Sequence, residues 1–220
     1  MAHIHLQDGS LPFEWAVTWW ALSTLILAAC IYLLRREALG SRRLSMAALC
    51  AAAIFSLFQV EIPVFGGVHL SLMPLGGILL GPLLGTIVAL VINIFSAAIG
   101  HGGWSLIGAN LLVNVTELVV AWGIWKGSGR TGRMSVTSRG AGATFAALFA
   151  GNLVMIGIVL ISGIQGVSQD TSAIARGLTV LAAANLAIGA VEAVVTAYLV
   201  GYLARVRPDI LGEKTVISQE

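Results

Sequence analysis

Residues 70–100, LSLMPLGGILLGPLLGTIVALVINIFSAAIG, contain not one charged side chain. A helix needs about 20 apolar residues to cross a bilayer, so this run is more than one crossing needs, and its solvent is lipid. Gly81-Pro82 and Gly85 interrupt it. Proline removes a backbone donor and glycine loosens a helix, so the run divides into a short helix and a longer one. Outward from it, further apolar spans cover residues 13–34, 44–60, 106–125, 141–162 and 178–203. The sequence predicts an all-α, polytopic membrane helix bundle of about seven transmembrane helices over residues 13–204. Residues 1–12 form a segment before it and residues 205–220 a tail after it. Residues 126–139, KGSGRTGRMSVTSR, read as a polar loop.

Composition agrees. Of 220 residues, 58% are hydrophobic and 10% charged, with a mean hydropathy of +0.94, where a soluble domain carries about 25% charge. The net charge of +2 gives no reason to expect nucleic acid. Placement of the charges is more informative. Arg35, Arg36, Arg42 and Arg43 fall in the first connection, Lys126, Arg130, Arg133 and Arg139 in the fifth, and Arg205, Arg207 and Lys214 after the last helix. With seven spans these share one side, which the positive-inside rule makes the cytoplasm. Only Arg176 falls opposite. The N-terminus is then outside and the C-terminus cytoplasmic. No basic stretch precedes an apolar one at the start, so no cleaved signal peptide is expected.

On this topology all four histidines face outward: His3 and His5 in the first segment, His69 in the second connection, His101 in the fourth. His3 lies beside the terminus, where an α-amine, deprotonated backbone amides and an imidazole close fused chelate rings. Such a nitrogen-rich, near-planar set suits Ni(II) or Cu(II). With Met1 kept, His3 is third and the terminus supplies four nitrogens. With Met1 removed, as the small Ala2 favours, it supplies three and leaves a position for His69 or His5. Asp8, Glu14 and Glu61 are candidates to orient the imidazoles. Blander roles stand beside these: a solvated terminal histidine, a helix cap at His69, a turn at His101.

Within the spans lie Asn93, Asn110, Asn114, Glu117, Asn152, Asn185 and Glu192. Ionisable groups there default to a functional hypothesis, while interhelical bonding is the simpler role for the asparagines. Ala47/Ala51 and Ala48/Ala52 permit close helix approach. Cys30 and Cys50 lack metal or redox spacing and read as buried hydrophobes. No phosphate loop, HExxH or GxSxG motif is present. The chain therefore reads as no enzyme, with no catalytic cofactor and no ATPase site of its own.

The His-led start ending in Asp8-Gly9, the His69 loop, and HGGWSLIGAN (101–110) followed by VVAWGIWK (119–126) resemble the CbiM/NikM family. Its members are substrate-capturing membrane components of energy-coupling factor transporters for cobalt and nickel. The resemblance covers most of the chain, to about Leu203. It implies metal ligation by a terminal amine, a backbone nitrogen and imidazole of the adjoining histidine, and a loop histidine. Carried over, the nitrogens of Ala2 (or Met1) and His3 act with His69. Family members commonly begin Met-His-Ile-x-Asp/Glu-Gly, and this chain has Met-Ala-His-Ile-His-Leu-Gln-Asp-Gly, so counting back from Asp8 matches His5 instead. The implied cargo is Co(II) or Ni(II). The implied partners are a transmembrane coupling subunit (the T component), two cytoplasmic ATPases and, in some assemblies, a small accessory membrane subunit, within a prokaryotic cytoplasmic membrane. Two rivals remain: an ion-coupled secondary transporter using Glu117 and Glu192, and a membrane enzyme with catalytic histidines.

Overall fold

The structure, a computed structural model, describes residues 6, 8–37, 39–59, 70–166 and 171–212. These form α1 (Phe13–Leu34), α2 (Ser41–Phe58), α3 (Met73–Ala98), α4 (Ile107–Thr131), α5 (Val136–Ser162) and α6 (Thr171–Val206), then a short 3-10 turn, Pro208–Ile210. All six α-helices are long and apolar enough to cross a membrane. Their exposed faces carry large apolar side chains such as Leu25, Leu49, Phe95, Val180 and Tyr198, whereas Asn114, Glu117, Asn185 and Glu192 are enclosed. Apolar outside and polar inside is the arrangement lipid selects, since a polar group facing hydrocarbon would lack partners.

The sequence predicts about seven helices, and the described residues form six continuous helical runs. The difference lies in α3, where two expected spans join at Gly81 with no loop between them. Gly81 has φ 76 and ψ 175 inside an otherwise helical run, a region only glycine occupies freely. The chain reverses there. A Cβ at Gly76 would lie 3.5 Å from Leu118 Cδ2, and one at Gly85 3.0 Å from the same carbon. Nine residues of unbroken helix would hold those positions about 13 Å apart. Pro82 opens the second limb, where its missing N–H costs nothing and its fixed φ suits a first turn. Residues 73–80 and 82–98 thus form a hairpin around Leu118, with Gly77 against the Leu118 backbone.

The hairpin tip marks one end of the bundle. Gly81 and Pro82 line a cleft of about 550 Å³ shared with Glu37, Arg42, Arg43, Lys126 and Asp209. Arg42 pairs with Asp209 and Arg43 with Glu37. The basic ends of α1, α2 and α4 and the turn after α6 therefore meet.

Several helices outrun their apolar cores. The expected polar loop, 126–139, is mostly helical: α4 runs to Thr131 and α5 starts at Val136. Arg139 reaches across, donating to the Trp125 carbonyl at 3.0 Å with its guanidinium 4.0 Å from the ring centroid. That contact buries a charge-bearing side chain at a junction the sequence alone reads as loop. At its start α6 extends to Thr171, and its 36 residues reach about 54 Å, well beyond the roughly 30 Å hydrocarbon layer.

Candidate metal centre

The end of the bundle opposite the basic cleft carries HGGWSLIGAN, and the structure gives most of that motif a task. Leu6 is held twice by Asn110: its N–H donates to Oδ1 at 3.0 Å and its carbonyl accepts from Nδ2 at 3.1 Å. The same carbonyl accepts from the Gly103 N–H. Asp8 takes the backbone N–H groups of Trp104 (3.1 Å) and Ser105 (2.8 Å) and the Ser105 hydroxyl. Those N–H groups precede the first turn of α4, where a helix has donors to spare and favours an anion. The Ser105 hydroxyl is the main reason the Asp8 carboxyl lies below its ordinary value, helped by the Ser105 and Trp104 amides against desolvation.

The rest of the motif seats the helix. Gly108 lies against α1, where a Cβ would come 2.6 Å from Trp20 Cα, and its carbonyl accepts from Ser23 Oγ. His101 packs edge-on against Phe58 with centroids 5.7 Å apart, and its backbone N–H donates to the Ser96 carbonyl at 2.8 Å. Gln59 Nε2 donates to Ser96 Oγ. The end of α2 is thereby tied to the end of α3.

A second clamp sits deeper. Glu192, near the middle of α6, accepts from the Ser71 N–H at 2.9 Å, the Leu72 N–H at 2.9 Å and Ser71 Oγ at 3.2 Å. These residues lead into α3. Glu117 in α4 lies against Gly151 of α5, where a Cβ would meet its Oε1 at 2.5 Å. Asn152 and Asn185 join α5 to α6 through a 2.9 Å side-chain bond, the interhelical role the sequence assigns to asparagines. Asn114 is fully enclosed, and neither amide atom has a partner among the described residues.

Of the expected site residues, Met1, Ala2, His3, His5, Glu61 and His69 lie outside the described residues. Asp8 and His101 stand at the same end of the bundle, each engaged with the protein rather than with each other. Glu14 is exposed in the first turn of α1. Among the described residues no group of three or more His, Cys, Asp or Glu side chains stands close enough to hold a metal ion. Sequence reasoning missed Ser71, Leu72, Trp104 and Ser105. A serine at each helix entrance, followed within two residues by the helix itself, was the available signal, but its carboxylate partner lies 121 or 97 positions away.

The fold and the two clamped segments define a multi-pass membrane protein that encloses a set of polar side chains behind apolar outer faces. The family model of the cobalt uptake substrate-specific transmembrane region, CbiM, matches residues 5–210, and the chain belongs to that family. It is 29% identical to a protein of Methanocorpusculum labreanum provisionally named cobalt transport protein CbiM 1, over 99% of this chain and 96% of that one. It is 31% identical to a provisionally named fused nickel transport protein, NikMN, of Archaeoglobus fulgidus, over 96% of this chain and 69% of that one. A crystal structure described as a transition metal transporter superposes with a TM-score of 0.79 at 19% identity, covering 92% and 93% of the two chains; at that identity the likeness concerns the fold. The protein is a multi-pass component of a prokaryotic cell membrane.

Proposed function

We propose that the chain is the substrate-capturing membrane subunit of an energy-coupling factor importer and binds Co(II) or Ni(II) at its outer face. His3, His5 and His69 are its side-chain ligands, joined by nitrogen from Ala2 or Met1. A transmembrane coupling subunit and two cytoplasmic ATPases, with an accessory membrane subunit in some assemblies, drive the release step. The basic cleft end, with Arg42, Arg43 and Lys126, is cytoplasmic, and the end bearing Asp8 and His101 is outside.

One observation carries this function: Leu6 and Asp8, close to the N-terminal histidines in sequence, are fastened into the protein by the motif that most resembles the family. A solvated tail would not place Leu6 under 10% exposure with both backbone groups bonded to Asn110. Asn110, Asn114 and Glu117 follow at i, i+4 and i+7 along one enclosed face of α4, a polar stripe leading inward from the anchored Leu6. The relatives named for cobalt and nickel transport support the choice of cargo. The ion-coupled alternative is less favoured because both Glu192 oxygens are taken by fixed donors, an arrangement suited to holding a loop.

The test is equilibrium titration of the purified chain with Co(II) and Ni(II), wild type against His69→Ala. Loss of a direct ligand should exceed the roughly 100-fold upper range for loss of an outer partner. Undiminished affinity in a folded His69→Ala chain removes His69 from the site. Metal uptake by this chain alone in liposomes, driven by an ion gradient, would select the secondary-transporter alternative.

A further inference from the structure

Glu192 is fully enclosed in the middle of a membrane helix, where a carboxylate is costly and needs a reason to be there. It accepts three bonds from consecutive residues of another segment: from Ser71 through N–H and hydroxyl, and from Leu72 through N–H. Leu72 is the one non-glycine residue with positive φ, +50, among the described residues. A leucine holds that conformation only where its surroundings impose it. The segment entering α3 is therefore set in a particular turn by a side chain of α6.

His69 stands two residues before Ser71 in the sequence, and two residues of chain span at most about 7 Å. Fixing Ser71 and Leu72 fixes the point from which His69 departs. The same chemistry recurs at the other ligand-bearing segment, where Asp8 takes two consecutive N–H groups and a serine hydroxyl at the start of α4. In both places one carboxylate takes two consecutive N–H groups and a serine hydroxyl at a helix entrance.

We propose that Glu192 is the positioning residue of the metal-binding loop: from α6 it locks Ser71 and Leu72, and metal ligation by His69, two residues before Ser71 in the chain, depends on that lock. This rests on His69 being a ligand. Glu192 touches no cargo and acts through the loop. Replacing it by glutamine would turn an amide NH2 toward fixed donors and release the turn while keeping volume and shape.

The experiment uses the full detergent-solubilised chain titrated with Ni(II), and the ligand-field spectrum of the loaded protein at saturating Ni(II). The variants are Glu192→Gln, Ser71→Ala, His69→Ala and the double variant His69→Ala/Glu192→Gln. Glu192→Gln should weaken Ni(II) binding about 10- to 100-fold and shift the spectrum, because the ligand geometry changes even when every site is filled. Ser71→Ala keeps both backbone bonds and should weaken binding less, with a smaller shift in the same direction. In the His69→Ala background Glu192→Gln should add nothing to the residual affinity, as expected of two residues acting as one unit. Wild-type affinity and spectrum in Glu192→Gln overturn the proposal, as does an equal loss with and without His69. If Glu192→Gln does not fold, Ser71→Ala decides, and an unshifted spectrum with unchanged affinity overturns it. Intact binding in His69→Ala alone overturns both the ligand assignment and this inference, whereas lost binding there with an inert Glu192→Gln overturns only the latter.

Discussion

Asn110 and Asp8 show how a single side chain can decide whether a terminal segment is tail or structure. Asn110 satisfies both backbone groups of Leu6. Truncating it to alanine leaves the enclosed Leu6 N–H without its acceptor, at a cost of about 1–3 kcal/mol. If the segment carries metal ligands, Asn110→Ala should weaken Ni(II) binding roughly tenfold, since each 1.4 kcal/mol is a factor of ten. Titration alongside hydrogen exchange at Leu6 checks this, and faster exchange with unchanged affinity would separate the segment from the site. Asp8 adds a pH dependence of definite sign. Its carboxyl is lowered from 3.8, so its contribution is complete above that ordinary value and is lost only as pH falls through the lowered one. A metal must displace protons from its nitrogen ligands, so its affinity falls as pH falls. Acidification from pH 7 to 5 should therefore weaken metal binding while the Leu6 and Ser105 amides stay protected. Simultaneous loss of metal and protection over that interval would contradict the assignment of both clamp and ligands.

At the scale of elements, the hairpin of α3 depends on glycines whose demands differ. Gly81 needs a backbone region closed to other residues, so Gly81→Ala should cost about 1–3 kcal/mol, or roughly 2–12 °C in thermal midpoint for a chain of this size. Gly108→Ala brings a Cβ against Trp20 backbone, a backbone-to-backbone clash that side-chain rotation cannot relieve. Gly123, also in α4, has nothing within 4 Å of a Cβ, and Gly123→Ala should be neutral or stabilising by up to about 1 kcal/mol. Thermal unfolding of the three variants ranks them, and a harmless Gly81→Ala would remove the strained turn. The interruption at Gly81-Pro82 was legible in the sequence because proline and glycine act through local backbone rules. That the interruption reverses the chain was not, since it needs Leu118 from another helix to show it. Likewise the helical content of residues 126–139 was hidden: Gly127, Ser128 and Gly129 read locally as loop, and the Arg139–Trp125 contact that spans the junction is tertiary.

Across the whole molecule, the ends are distinguished by charge on one side and by the clamped segments on the other. With Cys30 and Cys50 replaced, a membrane-impermeant maleimide should label Gln165→Cys in intact cells and Met134→Cys only after permeabilisation. The reverse pattern would invert the proposed orientation. The membrane class of the protein was legible from hydropathy, because a lipid-facing surface constrains every exposed position at once. The polar groups of the interior were legible as a set, since Glu117 and Glu192 have no cheap place in a membrane span. Their partners were not: Ser71 meets Glu192 across 121 positions, and only the folded bundle brings the segment before α3 to the middle of α6. The histidines drew attention by chemistry, whereas the residues that fasten their segments, Asn110, Ser105 and Ser71, are ordinary in sequence and specific only in space.

Presentation of N-terminal ligands to a divalent metal is tested most directly by comparing two forms of the chain. Once mass spectrometry has identified the mature first residue, the purified protein is titrated with Ni(II) and Co(II) beside a version extended by a few residues at its N-terminus. The proposed function predicts tight binding by the native form and its collapse on extension, with the preferred ion naming the cargo. Equal binding by both forms would contradict ligation by the terminal amine and leave the site to side chains, and binding by neither would contradict metal capture itself.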